Sequence, residues 1–357
     1  MPTGKRTRRT ATLASLAAEL GVSRTTVSNA YNRPDQLSPQ LRERVLDAAK
    51  RLGYPGPDPL ARSLRTRQAG AVGLLLTEAL SYAFRDPGAV AFLEGLALAC
   101  EDARTGLLLV PAVEGSGTDP AVVARASVDG FVVYSMPAGN PFLQTVLERP
   151  VPTVIVDEPA GQPGVDFVGV DDRGGMAEVG RHLAQLGHRR VGVVSSALCP
   201  DNRTGLAGLE RQRGAAYHVV RDRLEGLAEG LATAGVAWGS VPVQEMPANA
   251  LRPGREGAHA LLETHPDLTA IVAMSDIVAL GVLEALAERG RSDISVTGFD
   301  DTPAAREAGL TTVHQPLLDK GRIAGELLFD TGDRPVPRTR ILPATLVVRE
   351  STRPVPA

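Results

Sequence analysis

Cysteine is nearly absent from the 357 residues. Cys100 and Cys199 form no CxxC pair and have no histidine at ligand spacing beside them, which excludes a disulfide framework and a zinc site and points to a reducing compartment. Long apolar runs are absent as well. No stretch reaches the roughly 18 residues a membrane helix needs, and the basic start MPTGKRTRRT lacks the apolar segment of a secretory signal, so a cytoplasmic chain outside the membrane is expected. Enzyme motifs are missing: there is no GxSxG, Walker loop or HExxH, and no GxGxxG behind the first strand. His182 and His188, six apart in HLAQLGH, fit packing or capping better than metal binding, and no cofactor is expected. Aromatic residues are few, at 4%.

With 43% hydrophobic and 22% charged residues the chain can bury real cores, and its length suits two or three domains at about 150 residues each. Its net charge of −3 hides an asymmetry. Residues 1–70 hold 13 Lys or Arg against five acids, and the remainder holds 25 basic against 36 acidic residues. A basic first part points to a polyanion, although charge alone would favour a solvated tail.

Local pattern separates those readings. Leu13, Leu16, Ala17 and Leu20 mark a short amphipathic helix that Thr12 can cap and Gly21 can end. Ser23 then caps a second helix with core positions Val27, Ala30 and Tyr31, and Ser38 with Pro39 starts a third that runs to Gly53. Two helices joined by a tight glycine turn give a helix-turn-helix. Its second helix offers Arg24, Thr25, Ser28 and Asn29 to bases or phosphates, with Arg24 and Thr25 the expected base readers.

The strings TLASLAAELGVSRTTVSNAYN, LSPQLRERVLDAAKRLGY and PLARSLRTRQAGAVGLLL resemble the N-terminus of the lactose-repressor (LacI) family of bacterial transcription factors. The resemblance implies an all-α helix-turn-helix headpiece (1–57), a hinge helix and linker (58–70), and a periplasmic-binding-protein-like α/β core of two parallel-sheet lobes (71–357). It implies DNA contacts from Thr12, Ser23, Arg24, Thr25, Thr26, Ser28, Asn29, Asn32 and Tyr54, and from the hinge residues Leu60, Ala61 and Leu64. Leu64 takes the place of the leucine that wedges into the minor groove. A helix of about seven residues cannot stand alone in water, so this segment should order only against its dimer mate and DNA. The connection from Tyr54 to Pro59 is one residue longer and richer in proline than the family's usual one.

Beyond residue 70, apolar runs alternate with helical stretches, as in parallel sheets covered on both faces. Strands are predicted at 71–76, 107–110, 131–134, 153–156, 191–194, 270–274 and 294–297, and helices at 89–103, 175–186, 220–234 and 277–288. The resemblance implies three crossings between lobes, near Asp157, near Asp301 to Pro303 and near Gln315. Ligands bind beyond the carboxyl ends of such strands, which here carry Ser135, Asp157, Ser195, Ser275 with Asp276, and Asp300 with Asp301. VTGFDD resembles the family's signature turn and assigns effector contact to Asp300. RDRLEGL assigns it to Arg223, and SDIVALG to Ser275, with Asp276 as helix cap. Tyr82, Phe84 and Phe299 are candidate stacking faces, Phe299 equally a core residue. The long link CPDNRTGLAGLERQRGAA reads as a mobile loop over the cleft.

The expected function is a homodimeric DNA-binding regulator, a repressor whose affinity for double-stranded operator DNA answers to a small sugar or nucleoside-like effector. Alternatives are control by a protein corepressor, a solute-binding protein, or an enzyme on the same scaffold.

Overall fold

The computed structural model describes residues 11–57, 66, 68–77, 80–81, 83–113, 119–330, 332 and 336–355. Three helices build the N-terminal unit: α1 (Leu13–Leu20), α2 (Arg24–Asn32) and α3 (Pro39–Leu52). Their starts follow from residues that satisfy orphan amides. Thr12 Oγ1 accepts from the Ser15 amide at 3.2 Å while Ser15 Oγ accepts from the Thr12 amide at 2.8 Å, and Ser23 and Ser38 cap the next two helices. Gly21 ends α1 at φ +66°, a left-handed conformation that costs glycine little. Leu16, Ala17, Val27, Ala30, Val45, Ala48 and Ala49 bury each other as the core of this unit.

A second unit begins at Gly70. Its strands are β1 (Ala71–Leu76), β2 (Gly106–Pro111), β3 (Gly130–Tyr134), β4 (Thr153–Val156), β5 (Asp166–Val170), β6 (Val191–Ser195), β7 (Gly205–Leu206), β8 (Val243–Glu245), β9 (Ala270–Ala273), β10 (Ser295–Asp300), β11 (Thr311–His314), β12 (Thr339–Leu342) and β13 (Thr345–Val347). They form two sheets, ordered β12-β5-β4-β3-β1-β2 in the first lobe and β13-β11-β10-β9-β6-β8-β7 in the second. Pairing is parallel except for β13 on β11 and β7 on β8. Central strands such as β1 are buried on both faces, which is why they read as continuous apolar runs.

All seven predicted strands correspond to observed ones, with 270–274 running one residue past β9 and 294–297 starting one residue before β10. Of the other six, GL, VQE, TTVH, TRIL and TLV are short or polar, whereas DFVGV is an apolar, buried strand that sequence reasoning missed. Missing β5, β12 and β13 misplaces two lobe crossings. The chain changes lobes after Val170, after His314 and after Leu342. Asp157 instead leads from β4 to its neighbour β5 in the same lobe, and Asp301 leads from β10 to helix Pro303–Glu307 within the second lobe.

Helix His218–Ala232 lies against helix Asp172–Gln185 at backbone distance, because glycines face each other there. A Cβ on Gly230 would stand 2.3 Å from the Ala177 carbonyl oxygen and 2.7 Å from Gly180 Cα. Among the described residues no helix is long and apolar enough to cross a membrane.

Candidate functional site

In the N-terminal unit Arg24 and Thr25 stand exposed at the start of α2. Their neighbours have structural employment. Ser23 and Thr26 share a hydroxyl hydrogen bond of 2.8 Å, Asn29 Nδ2 donates to Gln36 Oε1 at 3.1 Å, and Asn32 Nδ2 donates to the Ser28 carbonyl at 3.0 Å and its Oγ at 3.1 Å. Thr12 is occupied in its capping box, and Tyr54 packs on the three-helix core with its ring edge-on to Tyr31, centroids 6.1 Å apart. Leu60, Ala61 and Leu64 lie outside the described residues, as does Tyr82.

The second unit holds a cleft of about 400 Å³ between its lobes, at the carboxyl ends of both sheets. Ser135, Asp157, Arg223, Ser275 and Asp300 all line it. Three of them leave their strands in unusual backbone conformations, with φ of +47° at Ser135, +65° at Asp157 and +125° at Asp300. Such strain outside glycine persists only where the surroundings hold it, and it gathers at binding sites.

Two cations reach the cleft, and acids answer both. Lys320, 1% exposed, donates to both carboxylate oxygens of Asp157 at 2.9 Å and to Gln315 Oε1 at 2.8 Å, which uses all three of its protons. Arg223 Nε donates to Asp172 Oδ1 at 2.7 Å and its Nη1 to the Met274 carbonyl at 2.5 Å. The Arg223 guanidinium also covers the Phe299 ring at 3.7 Å, so Phe299, fully buried, is a core residue and offers no stacking face. Gln315 Nε2 in turn donates to Asp300 Oδ1 at 2.6 Å.

Burial raises the carboxyls here. Glu158 is pushed up to about 7 by burial, only partly opposed by hydrogen bonds from Ser135 and Val219. Asp300 is raised well above the usual carboxylate range, first by burial and then by the Asp276 charge, and burial likewise raises Asp172 against the pull of Arg223.

Several expectations need correcting. Phe84 is 65% exposed and absent from the lining, since the segment after β1 turns it outward. Ser195 is fully buried; the next residue, Ser196, lines the cleft. Ser275, not Asp276, caps the helix that follows, and its hydroxyl also donates to Asn249. Asp276 is wholly buried, raised to about 6 by that burial, and accepts from the Thr302 amide at 2.7 Å and the Thr312 hydroxyl at 2.5 Å. The link from Cys199 to Ala216 is a built wall of the cleft. Arg211 clamps it, bonding both oxygens of buried Glu245 at 2.7 and 3.1 Å and both of Asp201 at 2.7 and 2.8 Å. His188 bonds Thr269 at 3.0 Å and the Arg353 carbonyl at 3.1 Å, and His182 bonds Thr352 at 2.9 Å.

Glu158, Lys320, Gln315, Asn249 and Asp86 are cleft residues that sequence reasoning missed. Asp86 had a signal, since an acid before Pro87 is a helix cap at the end of a β1 loop, and its Oδ1 accepts from the Gly88 amide at 3.0 Å.

Residues 12–56 match the family model for bacterial regulatory proteins of the lacI family, and residues 181–352 match a periplasmic binding protein-like domain. An HTH-type transcriptional regulator of Mycolicibacterium smegmatis is 47% identical, over 100% of each chain. The crystal structure of a LacI-family transcriptional regulator from Corynebacterium glutamicum is 40% identical, covering 98% of this chain and 99% of that one at a TM-score of 0.74. The solved complex of the transcriptional regulator CelR with cellobiose is 29% identical, covering 96% and 100% at 0.69. A helix-turn-helix unit on the same chain as a two-lobed core with a polar cleft defines a DNA-binding transcriptional regulator with an effector-binding domain. The chain belongs to the LacI family of bacterial transcriptional regulators.

Proposed function

We propose that this regulator is a cytoplasmic homodimeric repressor, without enzymatic activity, that binds palindromic double-stranded operator DNA and is controlled by an uncharged, hydroxyl-rich metabolite such as a sugar. One observation carries the ligand class: Lys320 and Arg223, the cations of the cleft, are already committed to Asp157 and Asp172. The lining also carries the Asp86, Glu158 and Asp300 carboxyls, and among the described lining residues no further cation is left to pair with a phosphate or carboxylate. Hydroxyls, which donate to such acceptors, suit it. Of the aromatic residues near the cleft, Tyr134 is stacked on Phe92 at 4.3 Å and Phe299 is covered, which leaves Tyr217 as the aromatic lining residue that a nucleobase could meet among the described residues. The cellobiose bound by CelR agrees with a sugar. The DNA part of the proposal rests on the exposed start of α2, where Arg24 and Thr25 would read bases while Thr12, Ser23, Thr26, Ser28, Asn29, Asn32 and Tyr54 hold or contact the backbone, and on the Leu60, Ala61 and Leu64 hinge.

The test is a thermal-shift screen of the full chain with neutral sugars and polyols beside their phosphorylated counterparts. A neutral ligand at about 100 times its Kd contributes about 2.7 kcal/mol, or roughly 5 to 10 °C in Tm. Stabilisation by phosphorylated compounds alone would overturn the ligand class.

A further inference from the structure

Glu158 belongs to the first lobe, immediately after Asp157 at the end of β4, yet its carboxylate reaches the second lobe. Helix His218–Ala232 has no side-chain cap of its own, since Tyr217 at its N-cap position makes no such bond. Glu158 Oε2 accepts from the Val219 amide at 3.5 Å, and Oε1 accepts from Ser135 Oγ at 3.1 Å. An acid from one lobe thus sits at the orphan amides of a helix of the other.

His218, on the same helix, reaches back. Its Nε2 lies 3.0 Å from the Asp157 carbonyl oxygen, which can only accept, so Nε2 carries a proton. Nδ1 then faces Glu158 Oε2 at 3.9 Å. One turn further along, Arg223 projects into the cleft.

We propose that Glu158 and His218 form a latch between the lobes, positioning the helix that carries Arg223 while the cleft is closed. Opening the cleft must break the His218 to Asp157 and Val219 to Glu158 bonds together. The charged and titratable groups facing Glu158 are His218 from the helix and Asp157 from its own strand end, with Asp157 bound to Lys320; Ser135 faces it uncharged from the end of β3. Deprotonating Glu158 leaves a buried carboxylate beside Asp157, so the latch weakens as pH rises. Effector, in this scheme, would favour the latched form; that consequence rests on the cleft reading above, whereas the latch itself does not.

The test uses the full chain without effector or DNA and measures amide hydrogen-exchange protection factors, corrected for intrinsic rates, in residues 217–222. Wild type should lose at least tenfold protection there between pH 6 and 8. Glu158→Gln, whose amide oxygen can still accept from Val219 but which carries no titrating proton, should keep protection and flatten that pH profile, and His218→Ala should lower protection at least tenfold at pH 6 while sparing residues 227–231 of the same helix. A flat wild-type profile, an unchanged slope in Glu158→Gln, or full protection in His218→Ala would each overturn the latch. None of these outcomes depends on whether a sugar binds the cleft.

Discussion

Lys320 and Asp157 form a buried ion pair in which both carboxylate oxygens lie 2.9 Å from one ammonium nitrogen. The Asp157 side chain is 9% exposed and that of Lys320 2%, so neither charge has water to fall back on. Breaking such a pair on one side strands the other charge, at a cost of about 3 to 5 kcal/mol. Lys320→Met should destabilise the core by that order in urea denaturation, and the double variant Lys320→Met with Asp157→Leu should recover much of the loss. Equal loss in both variants would show that packing, not charge, is at stake.

Gly230→Ala is expected to act at a distance from the chemistry. Its Cβ would collide with the Ala177 carbonyl, so helix His218–Ala232 must shift and Arg223 with it. Overpacking of this kind costs about 1 to 3 kcal/mol. The variant should bind the ligand found by screening more weakly, measured by calorimetry, whereas Gly239→Ala, with nothing within 4 Å, should be silent.

The local parts of this structure were readable from sequence. Thr12, Gly21, Ser23 and Ser38 mark helix ends because capping is decided within three or four residues. Ser135, Asp157 and Asp300 were readable because ligand sites lie beyond the carboxyl ends of parallel strands. Lys320 was not, since a lysine within a helix reads as a solvated charge until the fold sets Asp157 and Gln315 around it. Glu158 was hidden for the same reason, because its partners Ser135 and Val219 are 23 and 61 residues away. The two misplaced crossings trace to β5, which is apolar and pairs with its neighbour β4 but was missed, and to β12 and β13, which are held by pairing with distant strands rather than by their own apolar character.

Stability should fall with pH around the neutral range because of Glu158. Its folded value, about 7, lies above its ordinary 4.5, so the folded state holds that proton more tightly than the unfolded chain. The resulting stability is present in full below about pH 4.5 and is lost as pH rises to about 7, a difference of up to about 3 kcal/mol. Relative to wild type, Glu158→Gln should gain stability between pH 5 and 8 in chemical denaturation. A constant difference across that range would contradict the assignment.

Arg24 and Thr25 are exposed at the start of α2, and the proposed function makes them readers of base identity. Arg24→Ala should cost about 1 to 3 kcal/mol on the preferred duplex and relax discrimination at one position of each half-site, measured by binding to a set of single-base variants. Uniform weakening on every sequence would make Arg24 a phosphate contact. Leu16→Ala, at the fully buried centre of the unit, should cost about 2 to 5 kcal/mol and abolish DNA binding through loss of the fold.

The most direct measurement of the central claim is a fluorescence-anisotropy titration of the full chain against a duplex selected from a random pool, with and without the neutral ligand identified by thermal shift. Coupling between cleft and DNA of about 1 to 3 kcal/mol predicts a five- to 150-fold change in Kd. Asp300→Ala and Arg223→Ala should abolish that change while leaving ligand-free DNA affinity intact. An unchanged Kd at saturating ligand, or a full response in both variants, would contradict control of DNA binding through this cleft.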